Sequence, residues 1–72
     1  MPETGFYHEI NNSLGIIRGQ CELFLLNARD GFYDAKTKEE ILQMASDTLR
    51  GVIHETDRIV STLKKFKKEG GV

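Results

Sequence analysis

Two stretches of this chain place apolar residues at alternating steps of four and three. The first runs Ile10, Leu14, Ile17, Cys21, Phe24, Ala28, with Phe6 one turn earlier. The second runs Ala45, Leu49, Val52, Thr56, Ile59, Leu63, Phe66. A mean step of about 3.5 residues fits the α-helix and no other regular element. Two long helices are therefore the elements available. Each carries apolar residues beyond the seam: Ile16 and Leu23 in the first, Ile41, Ile53 and Val60 in the second. Together they cover well over ~100° of surface, too wide for a two-stranded coiled coil. Such a stripe suits a helix packed against two neighbours in a bundle.

Between the helices, Asn27 to Ala35 loses the period and contains an Asp30-Gly31 turn signal. Gly31 takes φ > 0 without penalty and suits a helix stop. Thr37-Lys38-Glu39-Glu40 has the capping-box form Thr-x-x-Glu and suits a helix start. The pattern predicts a helix over about 5–29, a connector over about 30–36 and a helix over about 37–68, ending before Gly70-Gly71. The expected fold is all-α: one domain over 1–72, an antiparallel helical hairpin. At 72 residues, with one cysteine and no Cys/His cluster, neither a disulfide nor structural zinc can support it. The remaining support is a second copy, giving a homodimeric four-helix bundle. The helices start and stop abruptly, as in a piece of a larger protein.

Charge excludes several classes. Ten basic and eleven acidic residues leave a net charge of −1, with no single-sign field to attract nucleic acid. The one basic run, Lys64-Lys65-Phe66-Lys67-Lys68, reads as a solvated helix terminus, where cations suit the dipole, before it reads as a phosphate or membrane patch. No segment approaches the ~20 apolar residues of a membrane span, so no direct membrane contact is expected. A reduced thiol and no export signal point to the cytoplasm.

One segment carries chemistry: Phe6-Tyr7-His8-Glu9-Ile10-Asn11-Asn12-Ser13-Leu14. On a helix with Ile10, Leu14 and Ile17 toward the core, His8 falls on nearly the opposite side, facing solvent. Asn12, Gly15 and Gly19 share that face. Glycine inside a helix costs up to ~1 kcal/mol relative to alanine. Two glycines beside an exposed histidine suit a surface kept low for an approaching partner, or small-residue helix packing. His-Glu-x-x-His would suggest zinc hydrolysis, but position 12 is asparagine. His54 reads as a surface histidine. Cys21, in the seam, reads as a small buried residue.

The segment resembles the phosphoacceptor box of sensor histidine kinases, roughly His-Glu-apolar-x-Asn/Thr-Pro-Leu. Here it stands as His8-Glu9-Ile10-Asn11-Asn12-Ser13-Leu14, followed by Gly15-Ile16-Ile17-Arg18-Gly19. The resemblance extends over the chain, because the family's dimerisation and histidine phosphotransfer domain is a hairpin that dimerises into a four-helix bundle. Ser13 stands where the family carries proline, so the helix is straighter or bends more weakly. The family's ATP-binding domain, with its asparagine and glycine boxes, has no counterpart after residue 68.

The resemblance implies that His8 accepts a phosphoryl group from ATP on a separate catalytic domain and passes it to an aspartate of a response regulator receiver domain. Histidine, with an ordinary pKa of ~6.5, is mostly neutral at pH 7 and able to attack. Glu9 is the implied general base or orienter of the ring. Asn12 is the implied water-positioning residue for phosphatase action toward the regulator. Adjacent helical residues point ~100° apart, so a tight His8–Glu9 bond is not expected without the kinase domain docked. No cofactor is expected in this chain, ATP and Mg belonging to the missing domain. Alone, it would be an inactive fragment of a protein-histidine kinase. The alternatives are a non-catalytic dimeric hairpin acting as a signalling scaffold, or a phosphorelay intermediate.

Overall fold

The computed structural model describes residues 2–68. The chain forms two helices, α1 (Pro2–Arg29) and α2 (Lys38–Lys68), packed side by side as an all-α hairpin. α1 begins at Pro2, earlier than the expected start near residue 5. Proline is well suited to the first turn, where its missing N–H has no helical partner to lose.

The turn between the helices is built from local hydrogen bonds. Phe32 N–H donates to the Asn27 carbonyl at 2.9 Å, and Gly31 N–H to the Ala28 carbonyl at 3.4 Å. This is a Schellman closure, with Gly31 at φ 81° in the left-handed position that the closure requires. A Cβ at Gly31 would also lie 2.9 Å from Asp34 Oδ2, so glycine is favoured twice. The Tyr33 ring packs 5.0 Å from Phe24 and ties the turn back onto α1. α2 then starts with a reciprocal cap. Glu40 N–H donates to Thr37 Oγ1 at 3.1 Å, while Thr37 N–H donates to Glu40 Oε1 at 2.9 Å.

The face that α1 turns to α2 holds buried Ser13 and half-buried Phe6, Ile10, Ile17, Gln20, Phe24 and Asn27. The facing row on α2 is Ile41, Ala45, Thr48, Val52, Glu55, Ile59, Thr62 and Phe66. Phe6, Ile10, Ile17 and Phe24, and on α2 Ala45, Val52, Ile59 and Phe66, match the expected seam. The rest of the seam lies one residue off: Ser13, Gln20 and Asn27 replace Leu14, Cys21 and Ala28. Likewise Thr48, Glu55 and Thr62 replace Leu49, Thr56 and Leu63. The displaced residues are exposed instead, Cys21 and Leu14 among them. The cause is geometric. A broad apolar stripe points along the mean of all its contacts, and the hairpin supplies only one of them.

The consequence is a molecule without a dry interior. No apolar side chain among the described residues is fully buried, and the two buried residues, Ser13 and Glu55, are polar. At one contact a glycine makes room for a side chain of the other helix. The Gln20 amide lies over Gly51, where a Cβ would sit 2.5 Å from Gln20 Nε2. The shape follows: a slab 52 × 19 × 12 Å with a radius of gyration of 16.3 Å. A compact globule of this length would have about 11 Å.

Candidate functional site

α1 runs unbroken through the His8 segment, with no helix break at Ser13. Ser13 points inward and is 3% exposed, which turns the preceding turn outward. His8, Glu9 and Asn12 are all exposed. Among the described residues no hydrogen bond or ion pair joins His8 to Glu9 or to Asn12. A ring so placed has both nitrogens open to solvent or to a partner.

The helix around it is anchored at both sides. Phe6 stacks on Phe66 of α2, ring centroids 4.0 Å apart, and Tyr7 meets Phe6 edge-on at 5.2 Å. The register of the His8 turn is thus fixed by an aromatic contact between the helices. Below His8 the same side of α1 carries Gly15 and Gly19, and a Cβ built at either meets nothing within 4 Å. In the hairpin these glycines serve no close helix packing. They leave a shallow strip of backbone on the His8 side.

The second face of the hairpin is apolar. Tyr7, Leu14, Cys21 and Leu25 of α1 are exposed, as are Leu42, Leu49, Ile53, Val60 and Leu63 of α2. On α2 those residues, with Thr56, recur at heptad spacing from Leu49 onward, so they form a second seam beside the first. Between the helices on this face runs a groove of about 360 Å³, lined by Cys21, Phe24, Leu25, Ala45, Thr48 and Leu49.

Reading the sequence missed three features. Glu55, 6% exposed, sits inside the hairpin and accepts a hydrogen bond from Arg58 at 3.3 Å. Its signal was the seven-residue spacing Thr48, Glu55, Thr62. Gln20 Oε1 is buried over Gly51 without a hydrogen-bond partner among the described residues. The basic run of α2 reaches the His8 end of the rod, a juxtaposition that only the hairpin creates. His54 is exposed, away from any cluster. Among the described residues no group of three or more His, Cys, Asp or Glu is placed to hold a metal ion. No described helix is long and apolar enough to cross a membrane.

Compared with family models, with curated proteins and with solved structures, the chain matches none.

Proposed function

We propose that this hairpin is the dimerisation and phosphotransfer unit of a two-component sensor histidine kinase, with His8 as phosphoacceptor. The observation that carries the reading is the setting of His8. An unpaired, exposed imidazole stands on a continuous helix above two bare glycines, in the motif His8-Glu9-Ile10-Asn11-Asn12.

The chemistry fits that setting. The lone pair of a neutral ring nitrogen attacks the γ-phosphorus of ATP brought by a separate domain. An N–P bond forms, the bond to the β-phosphate oxygen breaks, and ADP leaves with that electron pair. The other ring nitrogen gives up its proton, with Glu9 the nearest carboxylate in sequence to take it. In the second step a carboxylate oxygen of a receiver aspartate attacks the phosphorus. The N–P bond breaks, its pair returns to the ring, and the ring recovers a proton. Asn12, one turn along on the same side, offers an amide to a phosphoryl oxygen or to the water of the reverse, hydrolytic step.

The apolar second face supports the dimeric part. The hairpin exposes 5748 Å². A compact monomer of this size exposes about 4,500 Å². The excess of more than ~1,000 Å² is what one partner of a standard interface, at ~800 Å² per side, would cover.

Intact-mass measurement tests the reading, after incubation with ATP, magnesium and a sensor-kinase ATP-binding domain, and separately with a phosphorylated receiver domain. The expected result is a gain of one phosphate that is lost in acid and absent from His8→Ala. Label from the receiver alone would identify a phosphorelay intermediate. No label from either donor, in folded dimeric protein, would leave a signalling scaffold.

A further inference from the structure

The hairpin has two unlike ends. From Arg29 to Arg50, around the turn, there are four cations and five carboxylates. Two of those cations are paired locally, Arg29 with Asp30 and Arg50 with Asp47. At the other end, Arg58 to Lys68 holds five cations and no carboxylate. Arg58 is occupied by Glu55. Lys64, Lys65, Lys67 and Lys68 are exposed and make no ion pair among the described residues. Their position is set by Phe66, which stacks on Phe6. All four lysines lie within two residues of Phe66, and His8 lies two residues from Phe6. The cations therefore share one end of the rod with the reactive imidazole.

A favourable helix dipole accounts for one or two cations in the last turn. Four like charges, spread around the helix at ~100° per residue, repel one another and exceed that need. Across the interface, α1 from Pro2 to Asn12 holds two carboxylates in its sequence, Glu3 and Glu9, against the four lysines. Positive charge is in excess at this end.

We propose that this lysine-rich end is an electrostatic docking element for an acidic protein surface, which it draws onto His8. The inference rests on the phosphotransfer reading. There, a phosphohistidine must meet an aspartate, and both are anions. Cations flanking the site offset that repulsion and raise the encounter rate, an effect that falls steeply with salt. The surface favoured is therefore one that surrounds its acceptor aspartate with further carboxylates.

The test is a titration of the ¹⁵N-labelled full chain with an oligo-aspartate peptide, at low and high salt. The peptide should move the amides of Tyr7 to Asn12 and Ser61 to Lys68, and leave the turn untouched. Binding should weaken ~10-fold or more on raising salt. It should be lost in a variant carrying Lys64→Gln, Lys65→Gln, Lys67→Gln and Lys68→Gln, and kept in Lys36→Gln/Lys38→Gln. If the fourfold variant loses helix by circular dichroism, Lys65→Glu alone should still weaken binding several-fold. Shifts spread equally over the turn would overturn the proposal. So would capture by vesicles containing phosphatidylglycerol without response to the peptide, which would assign the end to a lipid surface. Peptide binding without phosphoryl labelling would sink the phosphoacceptor reading alone, and labelling insensitive to salt and to the lysines would sink the docking element alone.

Discussion

Ser13 and Glu55 are the residues most withdrawn from water, Ser13 in the place expected for Leu14 and Glu55 in that expected for Thr56. For Ser13 the cost is small, since a hydroxyl can satisfy itself against its own helix backbone. Glu55 is different. Its side chain is 8% exposed, and its partner Arg58, at 3.3 Å, is 46% exposed. A buried carboxylate with one long, half-solvated ion pair recovers little of its desolvation cost. Glu55→Leu should therefore unfold at an equal or higher urea midpoint, by up to ~1–4 kcal/mol, whereas Glu55→Ala should lower it. A leucine variant less stable than the alanine one would contradict this account. Glu55 was not legible in the sequence, because a charged residue is ordinarily a surface residue. His8, Glu9 and Asn12 were legible as a string. The missing His8–Glu9 bond followed from helix geometry, since adjacent residues diverge, whereas His8 and Asn12 share a face and geometry alone did not decide between them.

The helix ends were the most legible elements, because their determinants lie within a few residues of one another. Gly31 closes α1, and the Thr37–Glu40 box opens α2 by two reciprocal bonds. The Thr37 backbone N–H and hydroxyl hold the Glu40 carboxyl below the ordinary glutamate range. A group whose folded pKa is depressed contributes stability above its unfolded pKa, ~4.3 for glutamate, and loses it as pH falls through the lowered value. The cap should weaken only in that acid range. Thr37→Ala should cost about 1 kcal/mol at neutral pH. Near pH 2 the difference between Thr37→Ala and the parent should shrink, as followed by ellipticity. A constant difference across pH would show that Glu40 does not act through Thr37. The side by which each helix meets its partner was less legible. Apolar periodicity reports the sum of all contacts, and here the hairpin contact and the exposed face lie roughly one residue apart around the helix.

At the scale of the molecule, a rod with no buried apolar side chain among its described residues has little burial of its own to rely on. The unfolding midpoint should rise with protein concentration, as for any fold completed by association. Leu49 and Ile53, 61% and 59% exposed, occupy the middle of the second apolar seam. Leu49→Lys/Ile53→Lys should sediment as a monomer and melt at a lower, concentration-independent temperature. A parent chain that sediments as a monomer at every concentration would remove the bundle. Size and stripe width are what led the sequence to suggest a second copy, and sedimentation is what tests it.

The aromatic pairs that bracket the rod differ in how much chain they span. Phe24 and Tyr33 are nine residues apart, Phe6 and Phe66 sixty. Closure entropy grows with the length enclosed, so the hairpin should zip from the turn outward, with the Phe6–Phe66 clasp shutting last. Amide exchange should therefore be fastest around His8 and slowest beside the turn. The end that carries His8 would then also be the end that folding reaches last and that thermal motion opens first.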